Sequence, residues 1–239
     1  EAIAAANGIS VLVTAATHHY ANATVQARVA GALRKLSAND ENKHEIAAAG
    51  GIEMLIKSSD IHLDNAVVQA GVAGALRNLS VNDEIAEEIA TAGGIDALIL
   101  ASENHPSNSD VQAEVAGALW GLSVNDEIEE AIAAANGIAI LVQAAKNHFN
   151  NPKVQARVAG ALRKLSAHDE NKHEMASSGG IEGLIHASEM HLDSAVVQAG
   201  VAGALRNLSV NDEIAEAIAT AGGIDALILA SENHPAVSD

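Results

Sequence analysis

Apolar residues recur along this chain at helical spacing, and the spacing itself recurs. In residues 68–80, VQAGVAGALRNLS, the residues Val68, Val72, Leu76 and Leu79 fall on one helical face. Val-Gln opens a similar segment at Val25, Val68, Val111, Val154 and Val197, in steps of 43 residues without insertion or deletion. Two further helices are predicted between successive Val-Gln segments. Asn82 and Asp83 offer an N-cap for a short helix, DEIAEEIATA. Gly93-Gly94 ends it, because the left-handed position after a helix favours Gly or Asn. The equivalent pairs are Asn7-Gly8, Gly50-Gly51, Asn136-Gly137, Gly179-Gly180 and Gly222-Gly223, where only Asn replaces Gly and only at the first site. A second helix, GIDALILASENH, follows, and a loop such as HPSNSD leads to the next Val-Gln segment. Each 43-residue repeat thus has a short first helix, a second helix, and a long third helix that begins near Val-Gln.

A longer period overlies the first. Residues 1–110 match residues 130–239 at a shift of 129, with 88 of the 110 aligned positions identical. Three distinct repeats are therefore duplicated as a block, and their third helices read VQARVAGALRKLS, VQAGVAGALRNLS and VQAEVAGALWGLS. The segments are 1–24 (partial), 25–67, 68–110, 111–153, 154–196 and 197–239, about five and a half repeats in one array. A helical period of about 40–47 residues is that of armadillo and HEAT arrays.

Composition sets what the core can be. Hydrophobic residues make up 49% of the 239, but aromatics only 1%, so Ala, Leu, Ile and Val must pack closely to fill it. There are no cysteines, which excludes disulfides, thiolate metal sites and thiol nucleophiles. No run of about 18 apolar residues is present to span a membrane, and no signal peptide is visible. These features lead to the expectation of an intracellular, cytoplasmic protein.

The order of short helix, Gly-Gly-Ile turn, second helix and long ALRNLS helix resembles the armadillo repeat over the entire chain. Ala73–Glu84, AGALRNLSVNDE, is especially similar to that family's third helix and following turn. The resemblance implies an all-α, right-handed superhelical solenoid whose third helices line a concave groove, and a non-catalytic scaffold that binds another macromolecule. Both ends repeat interior sequence instead of carrying polar caps. The array is accordingly expected to continue beyond one or both ends, or to stack head-to-tail with other copies.

Charge then singles out the groove. The formal net charge is −18, yet the five third helices carry 8 of the 13 basic residues and 1 of the 31 acidic ones. The basic residues are Arg28, Arg34, Lys35, Arg77, Arg157, Arg163, Lys164 and Arg206; the acidic one is Glu114. On the first of these helices Val25, Val29, Leu33 and Leu36 form the core face, and Ala27, Arg28, Gly31, Arg34 and Lys35 lie opposite. A basic groove in an acidic shell suits an extended or acidic protein segment, because the Arg fork binds carboxylates bidentately. The competing expectation is that the arginines pair with acidic residues of neighbouring repeats, such as Asp83 or Glu84. Peptide-binding armadillo proteins of the nuclear-import type place a Trp and, four residues later, an Asn on the third helix. Here the Trp positions hold Gly31, Gly74, Gly117, Gly160 and Gly203, and the Asn positions hold Lys35, Asn78, Gly121, Lys164 and Asn207. Binding of basic import signals is not expected. Asn78 and Asn207 remain candidates for holding a partner's backbone, and Trp120, which replaces Arg in the column Arg34, Arg77, Arg163 and Arg206, is a candidate anchor.

Other chemistry finds little support. His19, His62, His105, His148, His191 and His234 share one repeat position near the end of the second helix, where a His can face free carbonyls and the helix dipole. Copies about 10 Å apart cannot share one metal. The local groups His18-His19, and His168 with His173 and Glu174, are weak metal candidates. No phosphate loop, GxSxG or HExxH is present, so neither a cofactor nor an enzyme is expected. Nucleic acid is disfavoured because Tyr20, Trp120 and Phe149 are the only aromatics, and Tyr20 and Phe149 are equivalent loop residues.

Overall fold

The computed structural model describes residues 7–233 and divides into two compact units, residues 1–124 and 125–239. The predicted first helix at residues 1–6 and His234 lie outside the described residues. In the first unit the helices are α1 (Gly8–His18), α2 (Ala23–Leu36), α3 (Asp40–Ala48), α4 (Gly51–Ile61), α5 (Ala66–Leu79), α6 (Asp83–Thr91), α7 (Gly94–Asn104) and α8 (Ser109–Leu122). In the second they are α9 (Asp126–Ala134), α10 (Gly137–Asn147), α11 (Pro152–Leu165), α12 (Asp169–Ser177), α13 (Gly180–Met190), α14 (Ala195–Leu208), α15 (Asp212–Thr220) and α16 (Gly223–Asn233). The described residues contain no strand, and none of their helices is by itself long and apolar enough to cross a membrane.

Capping chemistry sets these boundaries. The Asn22, Asn65, Asn108 and Asn151 side chains accept from backbone N–H groups two and three residues on, so each long helix starts just before its Val-Gln pair. Asn39, Asn82, Asn125 and Asn211 cap four of the short helices, each accepting from the backbone N–H three residues on and Asn39 also from the one two residues on. Each short helix ends on a residue at positive φ: 88° at Gly93, and 69° at Asn136, where Asn substitutes. The second glycine of the pair has a different reason. A Cβ on Gly94 would lie 2.8 Å from the Ile89 carbonyl oxygen, so the turn tolerates no side chain there.

Within each unit the long helices pack side by side, α2 on α5 and α5 on α8 in the first, α11 on α14 in the second. Leu33, Leu76, Leu79, Leu119 and Leu122 are wholly buried among them. With so little side-chain volume the backbones come close. A Cβ on Gly71 would lie 3.1 Å from the Ala30 Cβ, and one on Gly200 would lie 2.9 Å from the Ala159 Cβ.

Apolar packing of this kind is not directional, and a buried glutamine supplies the direction. Gln26, Gln69, Gln112, Gln155 and Gln198 follow the valine of each Val-Gln pair, and all five are buried. Each Nε2 donates to two carbonyls at the end of the preceding second helix, as Gln69 does to Ser59 (2.8 Å) and His62 (2.9 Å). The same pair of bonds is made by Gln26, Gln112, Gln155 and Gln198. Where a serine ends the second helix, its hydroxyl donates to the glutamine Oε1: Ser59 at 2.6 Å, Ser102 at 2.8 Å and Ser188 at 2.6 Å. In the first repeat Ala16 occupies that position, and Gln26 Oε1 is buried without a partner.

An Ala16→Ser substitution restores the third bond. It is expected to raise unfolding free energy by about 1 kcal/mol, and Ser59→Ala to lower it by a similar amount. Urea titration followed by circular dichroism checks both.

Candidate functional site

The basic stripe predicted on the third helices is divided by the structure into two different environments. In the first unit Arg34 and Arg77 are partly covered and share one carboxylate. Arg34 Nη2 lies 2.7 Å from Glu114 Oε1, and Arg77 Nε lies 2.9 Å from Glu114 Oε2. The Glu114 side chain is 1% exposed, against 35% and 30% for the two arginines. These three residues come from α2, α5 and α8, so one carboxylate ties three successive long helices together. The expected partners Asp83 and Glu84 instead occupy the exposed first turn of α6.

In the second unit α11 and α14 bring Arg163, Lys164 and Arg206 to the surface. None of the three makes a salt bridge among the described residues. With Asn207 they border an open cavity of about 630 Å³, whose wall also includes small residues of α14 such as Ala199 and Ala202, Leu227 and Ser231 of α16, and Glu129 of α9.

The other expected site residues are placed as follows. Arg28 and Lys35 are exposed on α2, and Arg157 is partly covered on α11. Asn78 and Asn207 make internal bonds: Asn78 Nδ2 donates to the Arg34 carbonyl at 2.7 Å, and Asn207 Nδ2 to the Arg163 carbonyl at 2.9 Å and to Ser166 Oγ at 3.3 Å. Trp120 is half-buried near the end of α8. Two of the glycines at the Trp-equivalent positions also have a task. The Arg34 side chain crosses Gly74, where a Cβ would lie 2.6 Å from its Cδ, and Arg163 crosses Gly203 likewise.

The histidine column reaches further than its position at the helix end suggests. A carbonyl can only accept, so each ring Nε2 donates. His62 bonds the Tyr20 carbonyl at 2.6 Å, His105 that of Leu63 at 2.6 Å, and His191 that of Phe149 at 2.8 Å. The acceptor lies 42 residues earlier in each case, in the preceding repeat, so these rings join repeats. The described residues contain no group of three His, Asp or Glu side chains placed to hold a metal. The two loop aromatics sit against their neighbours: Lys57 Nζ is 4.5 Å from the Tyr20 ring centre, and Phe149 lies 5.9 Å from His186.

Two further features were not evident from sequence patterning. The glutamine column was a marker of the period, and its fixed place after Val was the only sign of a shared bonding role. Glu129 on α9 is largely buried at the rim of the cavity, at the repeat position that holds Lys43, Ala86, Lys172 or Ala215 elsewhere. Its Oε2 lies 3.4 Å from His168 Nε2 without making a hydrogen bond, while His168 turns toward Asp126 at 3.1 Å. Burial pushes the Glu129 carboxyl above the usual carboxylate range, against the opposing pull of His168 and Lys164.

Comparison with known proteins identifies the class. No family model and no curated protein matches the sequence. Among solved structures, a crystal structure described as an engineered protein is 28% identical with a TM-score of 0.79, covering 97% of this chain and 90% of its own. A computationally designed armadillo repeat protein for modular peptide recognition is 16% identical with a TM-score of 0.78, covering 95% of this chain and 97% of its own. A chain from a study of the interaction between cadherin and β-catenin is 21% identical with a TM-score of 0.66; the match covers 96% of this chain and 52% of that one. The chain is an all-α repeat solenoid. Its fold is of the armadillo type.

Two substitutions test the electrostatics. Glu114→Gln is expected to cost about 2 to 3 kcal/mol, less than breaking a fully buried pair because both guanidiniums keep contact with water. Differential scanning calorimetry measures it. For Glu129 the folded state holds the proton more tightly than the unfolded state, so its contribution to stability is lost as pH rises through the carboxylate range. Glu129→Gln should therefore raise Tm at about pH 7 and leave it nearly unchanged at about pH 4.

Proposed function

We propose that this chain is a non-catalytic protein-binding scaffold that holds an acidic protein segment on its third-helix surface. The observation that carries this reading is the contrast between the two Arg pairs. Arg34 and Arg77 already hold a carboxylate, whereas Arg163 and Arg206, with Lys164 beside them, present the same chemistry to solvent around a cavity. Guanidinium groups next to a concave apolar wall give a carboxylate-bearing partner both charge complementarity and surface to bury. The armadillo-type fold adds support, since one structural neighbour was designed for modular peptide recognition and another comes from a study of a protein–protein interaction. The strongly negative remainder of the chain disfavours nucleic acid and repels uniformly acidic partners that do not reach this surface. Arg28 and Lys35, exposed on α2, and the half-buried Trp120 on α8 are secondary candidates within the first unit, whereas the Asn78 and Asn207 amides are already bonded to the Arg34 and Arg163 carbonyls.

A second reading is a structural element that stacks end to end on further repeats or on other copies.

The test is fluorescence anisotropy with a labelled, extended peptide rich in Glu. Binding is expected to weaken about tenfold or more when salt rises from about 50 to about 500 mM, and again on Arg163→Glu with Arg206→Glu. Binding that ignores both changes defeats the basic-groove reading. A concentration-dependent mass in sedimentation, with no peptide bound, favours the stacking element.

A further inference from the structure

The five residues Leu-Ser-Val-Asn-Asp occur three times, at 79–83, 122–126 and 208–212, each time joining a long helix to the next short one. The first and third copies share one backbone. Ser80 and Ser209 are helical, at φ −68°, ψ 0° and φ −70°, ψ −3°. Each serine hydroxyl donates to the arginine carbonyl three residues back, and the Asn82 and Asn211 N–H groups donate to the Leu79 and Leu208 carbonyls. The related loops at 36–40 and 165–169 agree, with Ser37 and Ser166 at ψ −2° and −4°.

The middle copy takes another path. Ser123 stands at φ −72°, ψ 67°, an inverse γ-turn, closed by the Val124 N–H donating to the Leu122 carbonyl at 2.7 Å. Its hydroxyl donates four residues back, to the Leu119 carbonyl at 2.9 Å. Asn125 lies at φ −149°, ψ 167°, where Asn82 and Asn211 lie at φ −96°, ψ 125° and φ −91°, ψ 122°. The cap of the following short helix survives in both paths: the Ile85, Ile128 and Ile214 N–H groups donate to Asn82, Asn125 and Asn211 at 3.0, 3.0 and 3.1 Å.

Identical residues therefore support two backbones. Each gives the serine hydroxyl a carbonyl, gives the loop an amide bond and keeps the next cap. The difference comes from the residue that precedes the loop by two. Asn78 and Asn207 fasten the ends of their helices to the Arg34 and Arg163 carbonyls, and Gly121 has no side chain to do so. A Cβ on Gly121 would overlap Ser80 Oγ, so the observed packing of α8 on α5 has no room for the asparagine. The boundary between the two compact units falls within this middle copy, between Val124 and Asn125.

We infer that residues 122–126 are a conformational hinge, passing between the backbone described here and the one adopted at 79–83 and 208–212. Gly121 permits the exchange because it leaves the end of α8 unfastened. The hinge needs no bound partner.

The experiment is ¹⁵N relaxation dispersion on the intact protein. Ser123, Val124 and Asn125 are expected to exchange on the microsecond-to-millisecond scale, or to give two sets of peaks, with a minor conformer of about 1 to 10%. Residues 80–82 and 209–211 should show neither, and the minor-state shift of Val124 should approach those of Val81 and Val210. Gly121→Asn should raise the minor population about fivefold or more by supplying the missing side-chain bond. Gly121→Ala, which adds only the obstructing Cβ, should shift it in the same direction and serves where the asparagine variant does not fold. Flat dispersion with one peak per amide at 123–125 overturns the inference. Equal exchange in all three copies does so too, because it marks loop fraying, as does a minor-state Val124 shift unlike those of Val81 and Val210.

Discussion

The structure depends on a buried glutamine. A core of Ala, Leu, Ile and Val holds helices together but specifies their register weakly, because dispersion and burial have no direction. In every described repeat the glutamine after the Val of the long helix donates to two carbonyls of the second helix, spanning ten and seven residues. Two bonds in a water-excluded site define how far the long helix slides and how it rotates about its axis. The close backbone approach at Gly71 and Gly200, the crossing of Arg34 over Gly74, and the convergence of the arginine fork all presuppose that register.

Much of this is legible in the sequence because it is local. Asn caps, positive-φ residues and the four-residue apolar stripe each act within one helix and its next turn, and each recurs every 43 residues. The basic stripe was legible as charge. Its division into a paired and a solvent-facing half was not, because the partner of Arg34 lies 80 residues away and a count of charges carries no burial. Glu114 looked like the one exception in a basic column, yet it organises that column in the first unit.

The histidine and glutamine columns were hard to interpret for a related reason. Their partners are backbone carbonyls, which every residue possesses, so no second column of matching residues accompanies them. A position near the helix end suggests that the His ring serves its own helix. The geometry instead has the backbone N–H of residues such as His62 capping the helix while the ring bonds the previous repeat. Asn78 illustrates the same limit: an amide expected to face a partner's main chain is already bonded to the Arg34 carbonyl.

The separation of 80 residues between Arg34 and Glu114 also bears on the order of folding. Helix caps and glutamine bonds close loops of two to ten residues and can form early, at little entropic cost. The carboxylate fork cannot form until three long helices have stacked, so it belongs to the last stage of assembly. An interaction absent from the folding transition state leaves the folding rate almost unchanged and acts on the unfolding rate. On that order of events Glu114 would act as a kinetic latch, slowing the unfolding of a stack that the local bonds have already built.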